Sequence, residues 1–269
     1  MRRIPGSGVE LAVRDQGEGP PVLLLHGLPD SADVWRHQLA ALTGAGLRAV
    51  APDLRGFGAS EKPAEVGAYR VGRSVADMVA LLDALELERV RVVGHDWGAA
   101  VAWALASFVP DRVERLVVMS VGHPRTPRTI EQRRLAWYVL LFQFEGVAEA
   151  LLTRDDWQLA REWAASHPDL EERLAALREP GALTAALGWY RANLHPAREL
   201  DPPRDVPPVQ VPTLGLWSDA DEFLTEDQMV RSGEYVAGPW RYERIAGASH
   251  WMQLDAADRV SELLVEFLA

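Results

Sequence analysis

The first half of the chain alternates short apolar runs with segments of helical spacing. Runs of strand length lie at 9–13, 22–25, 47–51, 90–94 and 116–119, and helical spacing lies between them over 34–43, 74–86 and the segment that ends before Pro110. Continuous apolar runs are typical of strands buried on both faces of a parallel sheet. The alternation therefore predicts parallel strands joined by right-handed helical crossovers. In the helix over 74–86, Ser74 and Asp77 are placed like a capping pair.

The pattern changes between Gly122 and Val211, where strand signals disappear and tryptophan-bearing helical segments take over. Strands return at 213–217 and 242–245, and the last helix places its apolar residues on one face. We predict a core domain of residues 1–122 and 209–269 with an inserted helical cap, or lid, over 123–208. The proline-rich segment 201–208 is its return linker.

Composition limits the partners and the compartment. The chain has 39 acidic residues against 28 lysines and arginines, a net charge of −11, which argues against nucleic acid or an anionic membrane as a partner. It contains no cysteine, and its N-terminus lacks the apolar stretch of a signal peptide, so we expect a cytoplasmic protein. The seven histidines do not cluster at ligand spacing. We therefore expect neither a metal nor another cofactor.

The segment Gly94-His-Asp-Trp-Gly98 follows a predicted buried strand and opens a helix rich in small residues. Glycines at this spacing flank the nucleophile in the strand-turn-helix elbow, where larger residues would clash. Here the central residue is Asp96. A carboxylate suits displacement at an sp³ carbon and gives an alkyl ester that water can then attack. The alternative is that Asp96 is a helix N-cap.

A nucleophilic aspartate needs a base to hydrolyse its ester, and the base needs an acid to orient it. His250 follows the last predicted strand, and two aspartates, Asp219 and Asp221, follow the strand over 213–217. The carboxyl ends of parallel strands lie at one edge of the sheet, where ligands bind. We favour Asp221 as the acid because it lies farther past its strand, with Asp219 and then Glu222 as alternatives.

Two backbone N–H groups are candidates for an oxyanion hole. The turn that begins at His26 brings the N–H of Leu28 beside the N–H of Trp97, and two such donors would stabilise the tetrahedral intermediate of ester hydrolysis. We interpret His26 as a residue that stabilises this turn. His95 points away from the site at an elbow of this kind, so we assign it a structural role.

These segments together resemble one known family. Gly94-His-Asp-Trp-Gly98, His26-Gly-Leu-Pro29-Asp, Asp53-x-Arg-Gly-x-Gly-x-Ser60 and Gly-x-x-His250-Trp-x-Gln are similar to motifs of the α/β-hydrolase-fold epoxide hydrolases, relatives of the haloalkane dehalogenases. The resemblance spans nearly the whole chain. It implies an α/β-hydrolase fold, in which a mostly parallel sheet is flanked by helices and carries an inserted helical cap.

The resemblance also implies further site residues. In that family two cap tyrosines donate hydrogen bonds to the epoxide oxygen, and the matching positions here are Tyr138 and Tyr190, two of only five tyrosines in the chain. Pro29, Trp189 and Trp251 are expected to line the substrate pocket. The alternative for Tyr138 is a packing residue in a buried cap helix.

The resulting hypothesis is cofactor-independent hydrolysis of a small apolar epoxide to a vicinal diol. Asp96 would open the ring and form a covalent ester, and His250, oriented by Asp221, would activate the water that hydrolyses it. One alternative is a haloalkane-type dehalogenase, in which the Trp97 side chain would bind the halide. Another is a non-catalytic small-molecule receptor on the same fold. We expect a monomer or a homodimer.

Overall fold

Eight strands form a single sheet in the computed structural model, which describes residues 1–201 and 205–269. In chain order they are β1 (Arg2–Pro5), β2 (Glu10–Gln16), β3 (Pro21–Leu25), β4 (Arg48–Pro52), β5 (Val90–His95), β6 (Val113–Met119), β7 (Thr213–Ser218) and β8 (Trp240–Ile245). They lie side by side in the order β1-β2-β4-β3-β5-β6-β7-β8. The pairs β1–β2 and β2–β4 are antiparallel, and the remaining pairs are parallel. The fold is the predicted α/β-hydrolase fold.

Helices cover both faces of this sheet. They are α1 (Arg36–Gly44), α2 (Val71–Ala84), α3 (Trp97–Phe108), α4 (Ile130–Leu135), α5 (Trp137–Phe142), α6 (Val147–Trp163), α7 (Leu170–Leu177), α8 (Ala182–Asn193), α9 (Glu226–Arg231), α10 (Met252–Asp255) and α11 (Ala257–Leu268). Short 3₁₀ turns span Ala32–Trp35, Val66–Tyr69, Pro110–Arg112, Pro196–Leu200 and Ser232–Tyr235. Helices α1, α10 and α11 share one apolar core, while α2, α3 and α9 pack on the opposite face. The parallel strands are therefore buried on both sides, which explains their continuous apolar runs.

The structure corrects two local predictions. The strand β1 was not predicted, because its sequence Arg-Arg-Ile-Pro has one buried position only. Helix α2 begins three residues earlier than its capping pair implies, so the prediction that Ser74 and Asp77 cap it was wrong. Both side chains are buried inside the helix, and Asp77 forms a bidentate ion pair with Arg55 at 2.6 Å. A buried guanidinium requires a charged partner, so the role of Asp77 is to pair with Arg55 and not to cap the helix.

The chain between β6 and β7 contains helices α4 to α8 and, over its described residues 120–201 and 205–212, no strand. Helix α8 contacts α5 and the 3₁₀ turn before α2, so the helical segment packs against the part of the chain that precedes α2. The boundaries predicted for the cap stay predictions, and residues 202–204 of the predicted return linker lie outside the described residues. Within the described ranges, no helix combines the length and apolar character needed to cross a membrane.

Candidate active site

Asp96 occupies the turn between β5 and α3, near the middle of the sheet. Its backbone is in a region that non-glycine residues rarely adopt, with φ 51° and ψ −119°, as expected for a strained elbow. The neighbouring chain leaves no room for side chains. A Cβ atom at Gly98 would lie 2.0 Å from the carbonyl oxygen of Leu25, and one at Gly27 would lie 2.1 Å from the Asp96 carboxylate. The glycines therefore permit the strained turn and the close approach of the largely buried carboxylate to the loop after β3.

Both predicted backbone donors lie against the Asp96 carboxylate. The N–H of Leu28 donates to Asp96 Oδ1 at 2.8 Å, and the N–H of Trp97 also stabilises the charge. Burial raises the pKa of Asp96 above its usual value, although His250 and these two donors act in the opposite direction. His26 holds the donor loop in place, since its Nε2 accepts from the N–H of Leu54 at 3.0 Å. The structure thus gives His26 a position consistent with its predicted role in the turn.

His250 stands between two carboxylates. Its Nδ1 lies 2.9 Å from Asp221 Oδ2, and its Nε2 lies 3.8 Å from Asp96 Oδ2. The second oxygen of Asp221 accepts from the N–H groups of Phe223 and Leu224 at 2.9 and 3.0 Å. The structure therefore brings together Asp96, His250 and Asp221, the residues predicted to be nucleophile, base and acid.

The two alternative acids have other surroundings. Asp219 accepts from the N–H of Gly247 at 2.6 Å, and Glu222 is exposed. Neither forms a hydrogen bond with His250 in the described part of the chain. Asp221 reaches the imidazole because its loop turns back after β7. This agrees with the reason for favouring Asp221, which lies farther past the strand than Asp219.

Electrostatics favour a charged acid and a basic imidazole. Burial would raise the pKa of Asp221, but His250 and two backbone N–H donors hold it below its usual value. Burial would lower the pKa of His250, but Asp221 and Asp96 raise it above its usual value. A carboxylate only accepts hydrogen bonds, so Nδ1 carries the proton and Nε2 of the neutral ring faces Asp96 as an acceptor. This is the tautomer that a general base requires.

His95 contacts the backbone of His250, the predicted base. Its Nε2 lies 2.9 Å from the carbonyl oxygen of His250, and its Nδ1 lies 3.1 Å from the side-chain nitrogen of Gln253. Burial and the nearby His250 lower the pKa of His95 to about 3, so it is neutral. Its ring is committed to holding the backbone of the His250 loop.

Tyr138 in α5 and Tyr190 in α8 face each other, with ring centroids 5.9 Å apart. The Tyr190 ring also contacts Trp97 at 5.0 Å and Phe142 at 4.9 Å. Burial raises the pKa of both phenols, and the charge of Asp96 raises each further. Both tyrosines are therefore protonated hydrogen-bond donors beside the proposed nucleophile. Both come from the helical segment between β6 and β7.

The guanidinium of Arg191 links the helix that carries Tyr190 to two earlier helices, α5 and α6. Arg191 follows Tyr190, and its guanidinium pairs with Glu149 at 2.8 and 2.9 Å. The same side chain donates from Nε to the carbonyl oxygen of Phe142, at the end of α5, at 2.9 Å. Arg191 thereby joins α8 to both α5 and α6, which fixes the spacing of the phenols.

The three predicted pocket residues have different surroundings. Pro29 lines two cavities beside the site. Trp189 is fully buried, and its indole N–H donates to the carbonyl oxygen of Arg55 at 3.1 Å. Trp251 is also buried and donates to Asp30 at 3.1 Å. Neither tryptophan lines those two cavities, but the two cavities do not include Asp96, His250 or the tyrosines either, so the predicted contact with substrate stays a prediction.

The buried carboxylate of Asp30 was not among the predicted site residues. It accepts from Trp251 and lies 3.1 Å from Nε2 of His167, whose ring is 4.4 Å from that of Trp251. Asp30 closes the quoted His26-Gly-Leu-Pro29-Asp motif, which was a usable signal. A single histidine in a loop between helices gave none for His167.

Comparison with known proteins identifies the family. The family model for the α/β hydrolase fold matches residues 20–257. "Epoxide hydrolase A" of Mycobacterium tuberculosis is 34% identical over 99% of this chain and 96% of its own length. The chain belongs to the α/β-hydrolase-fold epoxide hydrolases.

Solved structures of this epoxide hydrolase family agree with that assignment. The crystal structure of Epoxide Hydrolase A from Mycobacterium thermoresistibile superposes with a TM-score of 0.86 at 31% identity, covering 99% of this chain and 97% of its own. The Bacillus megaterium epoxide hydrolase in complex with an inhibitor gives 0.88 at 26% identity, covering 99% of each chain. In the described ranges, no group of three or more His, Cys, Asp or Glu residues is placed to hold a metal ion.

Proposed function

We propose that this member of the family hydrolyses a small apolar epoxide to a vicinal diol through a covalent ester on Asp96. The observation that carries the proposal is the placement of two protonated tyrosines beside a carboxylate whose ester could be attacked by water. The charge of Asp96 contributes to the raised pKa of both Tyr138 and Tyr190. Phenols suit an oxygen leaving group because they donate hydrogen bonds as charge develops on it.

In the first step, Oδ2 of Asp96 attacks an epoxide carbon while Oδ1 remains bound to the Leu28 N–H. The ring C–O bond breaks, and the tyrosines stabilise the alkoxide and supply its proton. Because Oδ1 becomes the ester carbonyl oxygen, it already lies in the two-donor site when the ester forms. No cofactor takes part in this scheme.

In the second step, His250 removes a proton from the water that attacks the Asp96 carbonyl carbon. The distance of 3.8 Å between Nε2 and Asp96 Oδ2 brings the base close to the ester that it must hydrolyse. Asp221 stabilises the imidazolium that forms, and the N–H groups of Leu28 and Trp97 hold the oxyanion. The ester C–O bond then breaks, the imidazolium protonates the leaving alkoxide to complete the diol, and the proton left on the Asp96 carboxylic acid returns to the tyrosinate, which restores the carboxylate and the phenol.

One observation favours a second candidate function, haloalkane dehalogenation. The indole nitrogen of Trp97 is buried and makes no hydrogen bond with the described residues, so it could serve a halide leaving group. We rank this function second because a halide gains nothing from two phenols. The receptor hypothesis ranks third, since a binding protein has no need of the His250–Asp221 pair.

The deciding experiment is intact-protein mass spectrometry of His250→Ala after incubation with a panel of alkyl epoxides, aryl epoxides and haloalkanes. Epoxide hydrolysis predicts an adduct with the full mass of one epoxide on Asp96. An adduct equal to a haloalkane less hydrogen halide would favour dehalogenation, and no adduct with any compound would favour the receptor. The cytoplasmic location, the monomeric or homodimeric state and the absence of membrane and nucleic-acid partners stay predictions.

A further inference from the structure

Two neighbouring cavities lie where the loop after β3 meets the cap helices. The outer one is a cleft of about 280 Å³ whose wall includes Asp33, Asp53 and Arg173. The inner one is lined by apolar residues, including Leu152 and Leu174. Polar side chains therefore form part of the wall of the cleft, whereas the wall of the inner pocket is apolar.

The inner pocket lies next to the proposed site, because two of its lining residues contact residues of that site. Leu28 forms part of its wall, and the N–H of the same residue donates to Asp96 Oδ1 at 2.8 Å. Phe142 forms another part, and its ring lies 4.9 Å from that of Tyr190. A group attached to an epoxide held between Asp96 and the tyrosines would therefore extend into this pocket.

Among the described residues, Pro29 and Leu177 alone line both cavities. We propose that these two residues form the constriction through which an epoxide reaches Asp96, and that Leu177 selects substrates by the width of their substituent. This inference rests on the function proposed above. It deepens that function by specifying neutral epoxides with a slender, unbranched apolar substituent.

The size of the inner pocket requires one wall of the constriction to move. Its volume is about 20 Å³, which is room for little more than one water molecule. A substituent can enter only when side chains shift, and the displacement must be larger for a branched group than for a linear one. Polar substituents are disfavoured because this wall cannot replace their hydrogen bonds to water.

Pro29 is the fixed wall. On one side Leu28 is bound to Asp96, and on the other the carboxylate of Asp30 lies 3.1 Å from both His167 Nε2 and Trp251 Nε1. The hydroxyl of Ser31 also accepts from the guanidinium of the cap residue Arg173 at 3.2 Å. These contacts hold the loop on both sides of Pro29.

Leu177 is the wall that can move. It is the last residue of α7, and residues 178–181, which follow it, are exposed. A helix end has backbone carbonyls without helical partners, so its last side chain is less constrained than one in the middle of a helix. A change in the Leu177 rotamer would widen the constriction without disturbing the loop that holds the oxyanion donor.

The test uses two isomers of equal composition, 1,2-epoxyhexane and 3,3-dimethyl-1,2-epoxybutane, with kcat/KM as the readout. We expect the wild-type protein to favour the linear isomer by about tenfold or more, since small differences in fit are worth roughly 10- to 200-fold. Leu177→Ala should raise kcat/KM for the branched isomer about tenfold and change the linear isomer less than about threefold. Leu177→Phe should lower both values, and the branched one more.

Leu152→Ala is the matched control, because Leu152 lines the inner pocket but not the cleft. It removes the same atoms from the inner pocket without widening the constriction, so the isomer ratio should change much less than in Leu177→Ala. Circular dichroism and thermal melting establish that each variant is folded. An unchanged ratio in Leu177→Ala, or an equal change in Leu152→Ala, would overturn the gate while leaving the proposed function intact. Wild-type protein that converts neither isomer contradicts both proposals.

Discussion

The two halves of the candidate site are held by different forces. Hydrogen bonds fix the groups that follow the strands: Asp96 is bound to Leu28, and Asp221 is bound to His250 and two backbone N–H groups. Ring packing fixes the groups from the cap. Tyr138 packs against Phe142, Trp163 and Phe223, and the Tyr190 ring packs against Trp97.

The difference shows what each half is prepared to do. Charged groups must be oriented before the substrate arrives, because reorganising them during the reaction costs free energy. A phenol hydroxyl turns about one bond, so it needs only a fixed ring and a direction in which a ligand oxygen will lie. The sheet thus supplies preorganised charge, and the cap supplies donors whose partner is the substrate.

Removing the charge at the elbow should have the largest effect. Asp96→Ala leaves no group to form the ester, so epoxide turnover should fall by about 10⁴-fold or more. The assay is diol formation, and the mass spectrum should show no adduct. Retention of more than about 1% of wild-type activity would require another nucleophile.

The acid should have the next largest effect. Asp221→Asn removes the charge that raises the pKa of His250, so we expect hydrolysis of the ester to slow by about 10²- to 10³-fold. Protonated His250 cannot accept a proton from water, so the wild-type rate should fall as the pH drops through a pKa above 6.5, the ordinary value for histidine. In Asp221→Asn this acidic limb should move to lower pH.

Asp219→Asn is the matched control for the acid, because Asp219 follows the same strand but binds Gly247 instead. Its pH profile should coincide with that of the wild type. A limb that moved in Asp219→Asn but not in Asp221→Asn would exchange the roles of the two aspartates.

The cap donors should follow. Tyr138→Phe and Tyr190→Phe keep the ring packing, so melting temperatures should change little, while each should slow ester formation by about 10- to 100-fold. Rapid-mixing measurements in the His250→Ala background isolate this step. The comparison between the two halves would fail if either substitution destabilised the fold or left ester formation unchanged.

The smallest effect concerns the spacing of the tyrosines. Arg191→Gln should lower stability by about 1–2 kcal/mol, because Arg191 and Glu149 are largely buried, and should reduce kcat/KM several-fold. Arg133→Gln breaks an exposed cap pair with Glu199 and should change neither quantity appreciably. Equal losses in both variants would mean that general cap stability, and not tyrosine spacing, controls the rate.

Sequence alone predicted the sheet better than the cap. Strands β3 to β7 and the turn at Asp96 follow from apolar runs and glycine spacing, which are local properties. Asp221 could be ranked above Asp219 but not chosen, since the return of the loop toward His250 depends on how β7 and β8 pair. The motifs found Tyr138 and Tyr190, whereas no pattern reveals the contacts of Arg191.

Prediction from sequence was weakest where the role of a residue depends on a partner that is distant in the chain. Asp77 fits a capping pattern, but the burial of Arg55 decides its role. The contact of Trp189 and Trp251 with substrate stays a prediction, but no sequence pattern revealed that their indole N–H groups donate to Arg55 and Asp30. In each of these cases a polar atom is satisfied by a partner far away in the chain.

The order of the strands in the sheet predicts which part of the site loses its structure first on heating. Asp96 follows β5, which is paired on both sides, whereas His250 follows β8, an edge strand paired only with β7. Amide hydrogen exchange should therefore be faster in β8 than in β5, because sheets open from their edges. Molecules damaged by heat would lose the base before the nucleophile. They would still react with an epoxide and retain it, so warm storage with substrate should yield protein that is permanently labelled by its own first reaction.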